Sequence, residues 1–185
     1  MDTIYELENE PGYQYCLPVD QRDYGTIAAL VNGTPRAGSW KPLKMRLCWF
    51  DERGRPYKRS DSPSGGTSDA PIFTRQAVAA LEAVFLQHGE LLELDCDDAE
   101  LWMFNATRVL PAIDMLKSGV RFFPGTRDIE RIARYVFEED VIAGSDIFKL
   151  ANMRVSPTFV GQRFVDLWRS AGLRGIKFAP ARGFP

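Results

Sequence analysis

The chain has 185 residues, of which 45% are hydrophobic and 26% charged, and its formal net charge at pH 7 is −2. This composition is typical of a globular domain that buries a core without disulfides or metals. The small negative charge disfavours a general nucleic-acid binder, which needs a basic excess, and no apolar run reaches the roughly 18 residues of a membrane span. The first residues lack the basic start and apolar core of a secretory signal, so we expect a cytoplasmic protein.

Residues 1–59 are predicted to be rich in β-structure. A turn over DERGRP separates the last two candidate strands. The pattern of residues 20–42 is ambiguous, and DYGTIAALVNG within it fits a short helix or a strand. The candidate strands are 4–7, 13–17, 45–50 and 57–59.

The segment SDSPSGGTSDAP, residues 60–71, is the low-complexity part of the chain. Serine, glycine, proline and aspartate bury little apolar area, so we predict a flexible surface loop. We expect this loop to lie within a single domain over residues 1–185, since the preceding residues are too few and too irregular to fold alone.

A clear helix follows in FTRQAVAALEAVFLQHG. Thr74 is its predicted N-cap and Gly89 its C-cap residue. Val78, Leu81 and Phe85 recur at helical spacing and form its predicted apolar face. The helix therefore has a start, an end and a side that faces the core.

The remaining pattern alternates strands with short helices. ELLELDC and LWMFNATRVL are predicted strands joined by the acidic turn DDAE, and Pro111 is predicted to open a short helix through residue 116. Strands outnumber long helices, which predicts an α+β fold with a mostly antiparallel or mixed sheet. The α+β core spans residues 72–178 and a tail spans 179–185. The other predicted elements are a hairpin over 120–123 and 129–137, a strand over 147–150, and a final helix and strand within 158–178.

The single histidine and the three cysteines offer little for catalysis. Cys16, Cys48 and Cys96 match no zinc or redox spacing, so we expect them to be small core residues. His88 would have to serve any nucleophilic triad, and its place in the last helical turn explains it more simply. We therefore predict no cofactor and no metal site.

The succession HGELLEL, WMFNATRVLPAID, ERIARYVF, DIFKL and TFVGQRFVDLWRSAGLRGIKF resembles the immunity protein 11 family of bacterial polymorphic toxin systems. The resemblance covers residues 70–178, and the first 60 residues share only its general character. It implies an α+β protein encoded beside a toxin, which binds the toxin's C-terminal domain and inhibits it stoichiometrically. It implies no catalytic residues. Gly161 stands where a serine or aspartate N-cap is more usual, a change that costs only a few tenths of a kcal/mol.

An acidic cluster in ELLELDCDDAE is the first candidate contact surface. The spacing fails the calcium-loop pattern, because the sixth and twelfth positions counted from Asp95 are Glu100 and Ala106. The cluster is then a solvated turn, or a recognition patch that steers and plugs a basic toxin groove. Its members are Glu90, Glu93, Asp95, Asp97, Asp98 and Glu100.

A basic, aromatic stretch over residues 36–59 is the second candidate surface. Arginine, tyrosine and tryptophan are enriched at binding hot spots. The plainer interpretation places the aromatic side chains in the core and the charges in water, and Met45, Leu47 and Trp49 share one side of the predicted strand. The candidate contacts are Arg53, Arg55, Tyr57, Lys58 and Arg59.

The expected function is immunity by tight binding to a cognate toxin domain, without nucleic-acid or membrane partners. Two alternatives stay open: an adaptor that carries an effector, and a small metal-dependent hydrolase built on residues 90–100. Asn105 stands in an otherwise apolar strand, where we expect it to satisfy backbone groups or to face solvent.

Overall fold

The computed structural model describes residues 3–24, 27–65, 69–153 and 155–182. The fold is α+β and mostly β, as the sequence predicts. The α-helices are α1 (Ile27–Leu30), α2 (Arg75–His88), α3 (Glu139–Ile142) and α4 (Gln162–Ser170). The strands are β1 (Tyr5–Asn9), β2 (Tyr15–Pro18), β3 (Lys44–Cys48), β4 (Ile72–Thr74), β5 (Gly89–Cys96), β6 (Leu101–Ala106), β7 (Val109–Leu110), β8 (Val120–Phe122), β9 (Ile129–Ile132), β10 (Ile147–Leu150), β11 (Phe159–Val160) and β12 (Ile176–Pro180).

Two mixed sheets organise these strands. The first has the order β12-β1-β11-β10-β7 and the second the order β2-β3-β5-β6-β4, while β8 and β9 form a separate hairpin. Most neighbours are antiparallel, but β3 runs parallel to β5 and β7 runs parallel to β10. The first 59 residues contribute β1 to one sheet and β2 and β3 to the other. β2 pairs with β3, whereas β1 pairs with β11 and β12 and β3 pairs with β5 from the rest of the chain.

The helices α2 and α4 join the two sheets through an aromatic core. Phe85 of α2, Phe104 of β6 and Phe164 of α4 belong to one buried cluster. Phe164, Val165, Trp168 and Ala171 recur at helical spacing, which predicts an apolar face for α4, and the first three are buried. Ala171 is exposed instead, because it is the C-cap residue that precedes Gly172 in its left-handed conformation (φ 68°).

The ends of α2 lie where the sequence places them, but for different physical reasons. Thr74 precedes the helix without a side-chain capping hydrogen bond. Gly89 has extended rather than left-handed backbone and begins β5 directly. A Cβ atom at residue 89 would overlap the carbonyl oxygen of Asn105 and the ring of Phe104. Glycine is needed here because β6 approaches closely.

The predicted helix over 111–116 is wrong, and a turn replaces it. The Asp114 side chain accepts hydrogen bonds from the N–H groups of Leu116 and Lys117 at 3.1 and 3.0 Å. A short acidic side chain that binds the backbone ahead of it competes with helix formation. The predicted strand over 101–110 is likewise divided into β6 and β7, because the N–H groups of residues 107 and 108 turn to the His88 carbonyl oxygen.

The low-complexity segment is more buried than the sequence predicts. Ser60, Ser62 and Ser64 are buried. The Ser62 hydroxyl donates to the Ile72 carbonyl at 2.8 Å, and the Ser64 hydroxyl accepts the Ile72 N–H at 2.9 Å. Hydroxyl groups thus attach this segment to β4, and the prediction of a surface loop is wrong for residues 60–64; residues 66–68 lie outside the described part.

The remaining predicted strands are confirmed, most of them with shifted bounds, except for the return strand over 57–59. The hairpin over 120–137 exists, but its second strand ends at Ile132 and a register shift follows Arg121. The predicted return strand over 57–59 is reduced to isolated bridges from Pro56 and Lys58.

Candidate functional site

The acidic cluster is divided by the alternation of β5. Leu92 and Leu94 are buried, whereas Glu93 and Asp95 are exposed on the opposite side. Glu90 shares the side of Leu92 and is half-buried. A cluster that is continuous in sequence therefore becomes one inward-facing carboxylate and a set of outward-facing ones.

Glu90 belongs to a hydrogen-bond network that holds the 33–37 segment against the second sheet. Its Oε1 accepts the N–H of Arg36 at 2.7 Å and the amide Nδ2 of Asn105 at 2.8 Å, and its Oε2 accepts the N–H of Ala37 at 3.0 Å. Both carboxylate oxygens are thus used within the molecule. Glu90 is therefore not part of the exposed acidic surface.

Asn105 completes this network from β6. It is fully buried, its Oδ1 accepts the Gly33 N–H at 2.9 Å, and its Nδ2 also donates to the Thr34 carbonyl at 2.9 Å. The expectation that Asn105 satisfies backbone groups is confirmed. The groups belong to a segment more than 70 residues away in sequence, which no local pattern indicates.

The other acidic residues lie at the exposed end of the β5–β6 hairpin. We call Asp95, Asp97, Asp98 and Glu100 the acidic turn. Lys44 Nζ lies 3.7 Å from Asp97 and 4.0 Å from Asp95, and Arg75 pairs with Glu100 at 2.8 Å. These pairs are exposed, where an ion pair contributes about 1 kcal/mol or less. The single-sign charge seen in the sequence is thus partly balanced by cations from β3 and α2.

The basic stretch forms a turn that Asp51 holds in shape. Asp51 Oδ1 accepts the N–H groups of Arg53 and Arg55 at 2.9 Å each, and Oδ2 accepts Arg55 Nε at 2.7 Å. Hydrogen bonds from the Arg55 backbone and side chain lower the pKa of Asp51, so it remains a carboxylate at neutral pH. The Arg53 side chain is left exposed at the tip.

Aromatic contacts engage Tyr57 and Lys58, two of the remaining three members of the second surface. Tyr57 packs edge-on against Tyr15, with 5.6 Å between ring centroids. Lys58 Nζ lies 5.4 Å from the centroid of the Tyr13 ring. Arg59 is exposed. Cation and aromatic side chains thus alternate along this edge of the molecule.

Trp49 and Phe50 are surface residues that the sequence interpretation assigned to the core. Burial decreases along β3 and beyond it, from Met45 (3% exposed) to Trp49 (39%) and Phe50 (62%). Trp49 and Phe50 follow the last residue of β3 and are not part of the hydrophobic cluster that contains Met45. Alternation shows which side chains share a face, but only the neighbouring elements decide where that face is covered.

The two candidate surfaces meet because β3 and β5 are parallel. Lys44 is in register with Asp95 and Met45 with Cys96, so the turn after Cys96 lies beside the later residues of β3. A groove of about 620 Å³ is lined by Leu47, Trp49, Lys58 and Arg59 from the basic stretch and its strand, and by Asp98 and Glu100 from the acidic turn. We call it the contact groove.

Two side chains that could take part in catalysis, His88 and Cys16, are buried in the core. His88 is buried, its Nε2 accepts the Asp146 N–H at 3.1 Å, and its Nδ1 lies 3.0 Å from the Val84 carbonyl, so the imidazole is a neutral Nδ1–H tautomer. Burial also raises the pKa of the Cys16 thiol, which keeps it protonated. Cys48 and Cys96, predicted as core residues, are only half-buried.

Lys149 is a buried cation that the sequence pattern does not reveal. Its Nζ donates to the carbonyl oxygens of Asp69 and Ser156 at 2.8 and 2.7 Å, and it therefore attaches the end of the low-complexity segment to β10. Burial lowers its pKa to about 8, and the nearby Asp69 carboxylate opposes this shift. A single lysine in an apolar strand gave no signal of this role.

The described residues offer neither a metal-binding cluster nor a membrane-spanning helix. Within residues 3–24, 27–65, 69–153 and 155–182, no three His, Cys, Asp or Glu side chains are grouped so that they could hold a metal ion. In the same ranges, no helix has the length and apolar character required to cross a membrane.

Comparison with known proteins identifies a family. No curated protein matches the chain. The model of the immunity protein family (Imm11) matches residues 93–183, which begin within β5 and include the acidic turn and α4. The match leaves out Glu90 and the basic stretch over residues 53–59. The resemblance to the immunity protein 11 family is therefore confirmed, and residues 93–183 are the part of the chain that carries it.

Proposed function

We propose that this protein is a cytoplasmic immunity protein that binds the C-terminal domain of a cognate toxin and inhibits it stoichiometrically. The observation that carries this proposal is the family match over residues 93–183. The protein acts by binding, so it needs no cofactor and no catalytic residue. It protects the cell that produces the toxin.

The acidic turn supports a direct mode of inhibition. Asp95, Asp97 and Asp98 are exposed, and their only paired cation in the described chain is the exposed Lys44. An exposed group of carboxylates accelerates association with a basic surface and matches it in the complex. The turn therefore faces the basic active-site groove of the toxin and excludes its substrate.

Co-expression tests the function. The C-terminal domain encoded by the neighbouring reading frame is expressed from an inducible promoter with and without this protein, and growth is followed. We expect growth to be restored and the two proteins to co-purify in a one-to-one complex. Toxicity that this protein does not relieve, with no complex, contradicts the proposal. A complex in which the toxin stays fully active indicates an adaptor.

The role of the acidic turn is tested by D95N/D97N/D98N. We expect association to slow about tenfold at low salt and the difference to shrink as salt rises, since long-range attraction is screened. The matched control is E138Q/E139Q/D140N, which removes three exposed carboxylates near α3. Equal association rates for both triple variants contradict the proposed role of the turn.

A further inference from the structure

Side chains of both charges line the contact groove, and we call the two sets its basic wall and its acidic wall. The basic wall carries Lys58, Arg59 and Arg174, and none of these side chains forms an ion pair with an acid in the described ranges. The acidic wall carries Asp98 and Glu100. Arg75 pairs with Glu100 at 2.8 Å, which leaves Asp98 as the carboxylate of this wall without such a partner among the described residues.

An apolar anchor lies between these charges. Trp49 is 39% exposed and lines the groove with Leu47, and Phe50 (62% exposed) follows it in the chain. Tryptophan and arginine are the residues most often found at the energetic centre of protein interfaces. Leaving an exposed tryptophan in water is unfavourable. A partner that covers Trp49 would bury apolar surface and would also form ion pairs with the unpaired charges that line the same groove.

The floor of the groove is held rigidly. The Asp61 N–H donates to the Arg174 carbonyl at 2.9 Å, and Asp61 Oδ2 accepts the Arg174 N–H at 2.8 Å. The Thr74 N–H donates to the Asp61 carbonyl at 3.0 Å. These bonds join the low-complexity segment, α2 and the residues before β12. A preorganised floor lowers the entropic cost of binding.

The charge pattern distinguishes a protein partner from a nucleic acid. Basic residues beside an exposed tryptophan could bind a single strand through phosphate contacts and base stacking. Across this groove, however, Asp98 and Glu100 would lie close to the phosphates and repel them. A polypeptide segment can present carboxylates to one wall and cations to the other.

We propose that the contact groove is the toxin-binding site and that it receives a protruding segment of the toxin domain with charges on both sides. Acidic side chains of that segment pair with Lys58, Arg59 and Arg174, basic ones pair with Asp98, and an apolar side chain packs on Trp49. This inference rests on the proposed function. It adds the basic wall and Trp49 to the acidic turn. Of these added residues, Arg174 lies within the family match and the others lie before it.

Three variants test the groove against the toxin domain used above, with affinity measured by titration calorimetry. We expect R59E, R174E and W49A each to lower the affinity at least about tenfold. The matched controls are R182E, an exposed arginine outside the groove, and F122A, an aromatic residue of β8 with similar exposure (41%). The controls should change the affinity less than about threefold. Thermal unfolding of each variant establishes that it is folded.

The outcomes separate the two proposals. Tight binding of the wild-type protein with unchanged affinity of all three groove variants overturns the groove and leaves the immunity function intact. No wild-type complex and no rescue of growth overturn both. A fluorescent single-stranded oligonucleotide that binds the wild-type protein but not W49A assigns the groove to nucleic acid instead and also overturns the inference.

Discussion

The two ends of the β5–β6 hairpin carry the same residue types in opposite roles. At one end, the Glu90 carboxylate and the Asn105 amide bind the backbone of residues 33–37. At the other end, Asp95, Asp97 and Asp98 are exposed, and Lys44 is the cation that pairs with the first two of them in the described chain. The comparison shows that an acidic residue acts in structure or in recognition according to what packs against its side of the strand.

The largest effect on stability is expected from N105A, at the end of the hairpin that contains Glu90 and Asn105. The substitution removes the Asn105 amide, so that the buried Gly33 N–H loses its acceptor and the Thr34 carbonyl and the Glu90 carboxylate each lose a hydrogen bond. We expect the free energy of unfolding to fall by about 3 kcal/mol. Urea denaturation measures it. The control E93A, an exposed residue of the neighbouring strand, should change stability little, and equal losses for both variants would remove the contrast between the two ends.

The second variant, G89A, tests the close approach at the same end. The added methyl group would overlap the Asn105 carbonyl and the Phe104 ring, so the strands must separate. We expect a loss of about 2 kcal/mol in the free energy of unfolding. G38A is the matched control, because a Cβ atom there meets nothing within 4 Å. A stability of G89A equal to that of G38A would contradict the structural reason given for this glycine.

The buried cation Lys149 should make the stability of the protein depend on pH. Burial lowers the pKa of Lys149 to about 8 from its ordinary 10.5, so between these values the unfolded chain binds more protons than the folded one. Stability contributed by this site therefore rises with pH across that window, by up to about 1.4 kcal/mol per pH unit.

Comparison of the wild type with K149M isolates the contribution of Lys149. The difference in free energy of unfolding between the two proteins is measured by urea denaturation at pH 7.5, 8.5 and 9.5, and it should increase with pH in favour of the wild type. The control K177M removes an exposed lysine of β12 that pairs with Glu8. A pH dependence that is the same in wild type, K149M and K177M would exclude Lys149 as its source.

The smallest effect on stability is expected from D95N/D97N, at the end of the hairpin that carries the acidic turn. The carboxylates are exposed and their contacts with Lys44 are 3.7 and 4.0 Å long. We expect the free energy of unfolding to change by less than about 0.5 kcal/mol. A loss comparable to that of N105A would show that the acidic turn supports the fold.

The sequence was sufficient for the regular elements whose signals are local. The spacing of Phe164, Val165 and Trp168 predicts the buried face of α4, and the alternation of Leu92 and Leu94 predicts β5. It failed where a side chain overrides propensity, as Asp114 does in the turn that replaces the predicted helix. It also failed for the serines of residues 60–64, whose composition is that of a loop but whose hydroxyls bind β4.

By itself, the sequence determined the fold class, the family resemblance and the charge of each candidate surface, because these follow from residue type and short-range spacing. The tertiary structure decided which charges are available. It turned Glu90 inward, paired Glu100 with Arg75, left Trp49 exposed and placed two distant segments along one groove. The shared groove follows from the parallel pairing of β3 with β5, and the other three outcomes follow from which distant residues lie beside each side chain; pairings between residues about 50 positions apart are specified by no local pattern.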